Sequence, residues 1–210
     1  MQQVDTRAIE QIYMSTASGM KVFPFAMTPD QVDIITIGRH LACQSRWLGA
    51  TRHKIFQNRI SYSVAEHSVY VSDFVKNTLR RPDLAFDALM HDAAEAYIGD
   101  MIRPLKYSAT FFEPFKALEE KVERVIATRF GMDFPFNSVI KVADDAVCQA
   151  EWEQIVPVFQ GETRQNVDMM HSTAITAPVE IAMLPPFEAY ELFMDRFHGF
   201  MTAGLFHGRD

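Results

Sequence analysis

At 210 residues, 48% of them hydrophobic and including 17 Phe and 12 Met, the chain is long enough for one well-packed domain and too apolar for disorder. A formal net charge of −7 argues against broad nucleic-acid binding, yet it leaves room for a small phosphorylated ligand held by a metal and a few local cations. No apolar run reaches the ~20 residues that span a bilayer, the first residues carry no apolar signal core, and Cys43 and Cys148 read as reduced thiols, so the expectation is a cytoplasmic protein with no membrane partner.

In chain order, residues 5–33 open with a short helical stretch and loosen at Ser15–Gly19. Thr28-Pro29-Asp30-Gln31 has the form of a capping box, with Thr36 as a second candidate helix start. Arg39–Leu48 carries helical spacing and stops at Gly49, a natural C-cap. The basic stretch 50–62, with Arg52, His53, Lys54 and Arg59, has no period and is expected to be a loop. Residues 63–79 form a second helix, in which Val64, His67, Val71, Phe74, Val75 and Thr78 share a stripe. A third helix is expected from Leu84, behind Asp83 as cap, to Gly99, and the polar loop after it holds Asp100, Arg103, Pro104 and Lys106. Further helices are expected over 113–130, 138–156 and roughly 186–201, the last with aromatics that suit a core or a subunit contact. With no repeat, no low-complexity tract and no array of strands, the fold class is all-α, a single domain over 1–210.

The chemistry lies in three of these helices. On the 84–99 helix, Ala88, His91, Asp92 and Glu95 fall on one side, while Phe86, Leu89, Met90, Ala93, Ala96 and Tyr97 take the other. His67 stands in the apolar stripe of the second helix. On the 138–156 helix, Ile140, Asp144, Val147, Cys148, Glu151 and Ile155 share a face, and Asp145 points toward Lys141 and Trp152. Ionisable groups on apolar faces must pair or bind a metal. A lone histidine of this kind is most simply a satisfied core residue, but two imidazoles and two carboxylates together suit a divalent transition ion, Mn²⁺, Co²⁺, Zn²⁺, Ni²⁺ or Fe²⁺, with positions open for water and substrate.

Three segments, SVAEHS (63–68), LMHDAAEAYIGDMIRPLK (89–106) and IKVAD (140–144), resemble the HD-domain metal-dependent phosphohydrolases. Within them the chain is most similar to small bacterial 5′-deoxynucleotidases and to related phage and prophage proteins, some of them dNTP triphosphohydrolases. The resemblance spans roughly residues 34–200, including Arg46-Trp47 before the first histidine and the closing MLPPFEAYELFMDRF. It implies an HD-domain helical bundle with a metal site between core helices. It also implies His67, His91, Asp92 and Asp144 as metal ligands, with Asp145 in place of Asp144 if the alignment slips by one. By the same resemblance Glu95 and Asp100 act around the attacking water and the leaving oxygen, Arg46 and Lys106 hold phosphate, and Trp47 lines a deoxyribose pocket. The expected activity is release of phosphate from a deoxynucleoside 5′-monophosphate. The alternatives are a triphosphohydrolase acting on dNTPs, dATP among them, and a nucleotide-binding module without turnover. The partner expected in every case is a small nucleotide. The aromatic last helix is compatible with a homo-oligomer.

Overall fold

The computed structural model describes residues 8–102, 105, 108–158, 160–161, 163 and 175–204. Its regular structure is almost entirely helical: α1 Ile34–Cys43, α2 Val64–Asp73, α3 Ala85–Leu89, α4 Glu95–Ile98, α5 Ala109–Phe130, α6 Ser138–Gln154 and α7 Pro186–Thr202. A two-residue hairpin, Met14–Ser15 against Lys21–Val22, is the one sheet among the described residues. The all-α expectation holds. No helix among the described residues is long and apolar enough to cross a membrane.

At the centre of the helices, α2 packs against α1, α3, α6 and α7. Eight of its ten residues are buried, Glu66, His67, Ser68 and Ser72 among them, so the expected amphipathic stripe becomes a helix enclosed on nearly every side. Enclosure is tolerable because the polar groups find partners. Ser68 Oγ donates to the Val64 carbonyl, Ser72 Oγ donates to the Ala85 carbonyl, and Glu66 accepts from the backbone N–H groups of Ala182, Met183 and Leu184. Beyond Asp73 the helix continues as one π-helical turn, Phe74–Thr78.

On one side of α2 the core joins Ile37 and Leu41 of α1, Leu89 of α3, Val122 and Ile126 of α5, and Phe193 and Phe197 of α7. The aromatics of α7 are thus core, with Phe197 edge-on to Phe130, although Phe187 at its start is exposed. Close approach of α1 and α7 depends on Gly38, where a Cβ would meet Met194 Sδ and the Tyr190 ring at 3.1 Å. A second cluster joins Val71 and Val75 to Ile140, Ala143 and Val147 of α6.

Three boundaries differ from the sequence reading. The Thr28 capping box forms, but it opens a single turn, Pro29–Gln31; α1 begins instead at Ile34, where the Asp33 carboxylate accepts from the Thr36 N–H. The helix expected to run to Leu48 stops at Cys43, because Gln44 and Ser45 become extended to pair with the segment before α2: Arg46 N–H donates to the Tyr62 carbonyl, Val64 N–H to that of Gln44. The expected 84–99 helix is broken at Met90–Ala94. There His91 Nδ1 donates to the Ala88 carbonyl at 2.8 Å, taking the acceptor that a continuous helix would offer the Asp92 N–H, and the next bonds run three residues back. At the C-cap of α5, Gly131 adopts a left-handed φ of 65°, as expected.

His40, on α1, ties three elements together. Its Nδ1 donates to the Ala96 carbonyl at 2.7 Å, and its Nε2 accepts from the Ala17 N–H at 3.1 Å. His40→Ala strands both backbone groups and should lower stability by about 1–3 kcal/mol, read as a shift in the urea midpoint; an unchanged midpoint would show that the hairpin is not held this way.

Candidate metal centre

α2, the α3–α4 junction and α6 converge on one cluster. A ring nitrogen of His67 from α2, one of His91 from the junction and a carboxylate oxygen of Asp144 from α6 all lie within 4.8 Å of one another. Asp92, expected as a fourth ligand, lies beside this group rather than within it, with Oδ2 3.7 Å from His67 Nε2 and Oδ1 3.3 Å from His91 Nε2.

Both imidazoles are held from behind. His67, fully buried, has Nδ1 2.5 Å from Glu151 Oε1, and His91 uses Nδ1 on Ala88. Their buried Nε2 atoms make no hydrogen bond of acceptable geometry, even though Asp144 Oδ1 is 3.2 Å from that of His67. Two nitrogens with no bond, turned toward carboxylates, form a donor set that fits a divalent transition ion.

The charges reinforce one another. Burial and the Arg46 guanidinium pull the His67 pKa down, but Glu151 and Asp144 outweigh them and lift it to about 9. Burial would raise Asp144, yet the facing His67, with His91 and Lys141, holds its carboxyl well below the usual range. Lys141 Nζ bridges Asp144 Oδ2 at 2.9 Å and Asp145 Oδ1 at 2.7 Å. Of the two adjacent aspartates, it is Asp144 that faces the histidines.

Arg46 and Trp47 sit on the turn before α2. Trp47 and Leu48 both have left-handed backbones, with φ of 56° and 51°, a conformation that costs non-glycine residues about 1–2 kcal/mol each. Their side chains explain how the turn is held. Arg46 Nε donates to Glu151 Oε2 at 3.1 Å and Trp47 Nε1 to the same oxygen at 2.8 Å, while Arg46 Nη1 faces Asp92 at 3.6 Å. The indole ring lies beside that of Trp152. Glu151 itself is wholly buried; burial would raise its pKa, but Arg46 and His67 keep it lowered and charged.

The sequence reading placed Glu151 on the Asp144 face without assigning it a role. A carboxylate two turns beyond Asp144 in an otherwise apolar stripe was the available signal. Glu95, at the start of α4, is buried and accepts from Gln44 Nε2 at 2.8 Å. Asp100 is exposed beyond Gly99, and Lys106 lies outside the described residues.

The basic 50–62 loop is partly tied to the body of the protein. Arg59 Nη1 donates to the Ala182 carbonyl at 2.6 Å and its guanidinium covers the Phe56 ring; His53 Nδ1 accepts from the N–H groups of Ile55 and Phe56.

The relatives carry no name for this geometry. The chain is 29% identical over 193 residues, 89% of its length and 94% of theirs, to uncharacterized protein YfdR of Escherichia coli (strain K12). It is 28% identical over 198 residues, 90% of its length and 96% of theirs, to uncharacterized protein RCAP_rcc00048 of Rhodobacter capsulatus. No protein-family model matches it.

Proposed function

We propose that this chain is an HD-type, divalent-metal-dependent phosphohydrolase that releases phosphate from deoxyribonucleoside 5′-monophosphates. The observation that carries the reading is the pair of buried imidazoles, each fixed at Nδ1 and each turning an unbonded Nε2 toward Asp92 and Asp144. His67, His91, Asp92 and Asp144 would hold the ion. When bound, it would supply Lewis acidity, making water acidic enough to ionise near neutral pH and drawing charge from a phosphoryl oxygen.

The remaining work falls to the chain. Glu95, oriented by Gln44 Nε2, is a buried carboxylate that can take a proton from the attacking water. Arg46 keeps its charge beside Asp92 and offers Nη1 toward the centre, where it would neutralise a phosphoryl oxygen. Trp47, with its indole N–H turned inward to Glu151, would present ring rather than polar edge to a sugar, which suits a deoxyribose. A triphosphate would ask for more positive charge, which the 50–62 loop could offer only through Arg52 and Lys54, because Arg59 and His53 are occupied within their own loop and with Ala182; the monophosphate is the reading favoured.

The test is a product assay on metal-stripped protein reloaded separately with Mn²⁺, Co²⁺, Zn²⁺ and Mg²⁺ and given deoxy- and ribonucleoside mono- and triphosphates. Phosphate from deoxynucleoside monophosphates supports the proposal. Intact triphosphate as product would move it to a triphosphohydrolase, and bound nucleotide without any product would leave a binding module. In the same assay Glu95→Gln should keep metal while losing about 10²–10⁴-fold in rate, the range of a general base; full turnover in that variant would remove Glu95 from the chemistry.

A further inference from the structure

We propose that Glu151 is a positioning residue that joins the metal centre to the substrate-side turn, holding both through one buried carboxylate. The inference rests on the metal-centre reading above and adds to it a residue that touches neither ion nor substrate.

Each oxygen of Glu151 has a separate task. Oε1 is 2.5 Å from His67 Nδ1, and a carboxylate can only accept, so a proton sits on Nδ1 and Nε2 is left as the nitrogen that would face an ion. Oε2 accepts from Arg46 Nε and Trp47 Nε1 together. These donors lie on the turn where Trp47 and Leu48 adopt left-handed backbones, a geometry that persists only when its surroundings hold it. Glu151 reaches both from a fully buried place on α6, the same helix that carries Asp144. A shift of α6 would therefore move a ligand carboxylate, the support of a ligand imidazole and the anchor of the turn together.

Glutamine is the informative replacement because it keeps shape and one acceptor. Its amide oxygen can still serve His67, but its NH₂ would then oppose the Arg46 and Trp47 donors; turned over, it serves the turn and fails His67. Chelator competition with Zn²⁺ should show Glu151→Gln binding about tenfold more weakly than wild type, in line with losses at groups that support metal-binding histidines. In Zn²⁺-loaded wild-type protein, NMR should show the His67 Nδ1 proton and the Trp47 indole proton both protected from solvent exchange. His67→Gln and Trp47→Phe assign the two signals, and in Glu151→Gln at least one loses its protection.

Zn²⁺ binding that depends on His91 but is unchanged in Glu151→Gln would overturn the positioning role alone. Wild-type protein that binds no Zn²⁺, or a His91→Ala variant that binds it equally well, would overturn the metal centre and this role with it. Should Glu151→Gln fail to fold, the wild-type spectra decide: exchange-labile protons at both positions are incompatible with a shared carboxylate.

Discussion

Asp144→Ala should abolish metal binding and phosphate release together, whereas Asp145→Ala should leave both within about twofold, as surface changes away from a site usually do. The two residues are adjacent on α6 and chemically identical, so the contrast tests the geometry alone. Asp144 Oδ1 faces His67 Nε2 at 3.2 Å, and the surrounding imidazoles and Lys141 hold its carboxyl ionised. Asp145 pairs with Lys141 at 2.7 Å through a carboxylate side chain that is 37% exposed, and an exposed pair of this kind contributes about 0–1 kcal/mol. Removing Asp144 would delete a proposed ligand and leave the two imidazoles facing Asp92. Isothermal titration with Mn²⁺ and the product assay read both effects. Equal losses in the two variants would mean that α6 is rotated relative to the arrangement described, and full activity in Asp144→Ala would remove it from the site.

The second large effect is structural and lies one residue from the centre. Glu66→Ala should destabilise the fold by about 4 kcal/mol, since each unpaired buried N–H costs about 1–3 kcal/mol and the carboxylate serves three. Its Oε1 accepts from Ala182 and Met183 and its Oε2 from Leu184, with the Tyr70 hydroxyl as a fourth donor. These bonds fasten the segment ahead of α7 across the end of α2. Met183, at a left-handed φ of 51°, packs with Tyr62 and Ile155 in the small cluster below. Glu66→Gln retains one accepting oxygen and should lose roughly half as much, because charge-assisted bonds are about twice as strong as neutral ones. Urea denaturation of both variants checks the order. A Glu66→Ala midpoint close to wild type would show that the 182–184 segment is held by its apolar contacts instead.

The two glutamates illustrate what the same residue type does in different surroundings. Both Glu66 and Glu151 are wholly buried. Glu66 sees backbone amides, and its pKa is raised because desolvation outweighs the hydrogen bonds it accepts. Glu151 faces a guanidinium and an imidazole, and these overcome the same penalty and lower it. The first is an anchor for chain. The second is an anchor for side chains.

Much of the helical framework was legible in periodicity and caps. The 113–130 segment with Gly131 behind it, the helix starting near residue 138, and the final helix after the paired prolines all appear within a few residues of their expected bounds. These are elements whose apolar stripe and end signals are local, and local chemistry suffices to place them. The candidate ligands could be named for the same reason, since His67 and Asp144 stand out on apolar faces and the His91-Asp92 pair projects opposite the apolar side of its helix.

Tertiary contacts decided the rest. The His91 ring breaks the helix that its own periodicity suggests, by taking the Ala88 carbonyl. The turn at Arg46–Gly49 replaces the end of a helix because Glu151, more than a hundred residues away in sequence, draws Arg46 and Trp47 inward and because the strand-like bridge to Ser63 occupies the backbone before it. The preference for Asp144 over Asp145, suggested already by the apolar face that Asp144 shares, gains a geometric ground from α6, which brings Asp144 to His67 and leaves Asp145 with Lys141. Periodicity reports which residues share a face of one helix; it carries no information about which polar atom on another helix will satisfy a buried donor, and in this chain those long-range pairings place the histidines, the strained turn and the carboxylate that joins them.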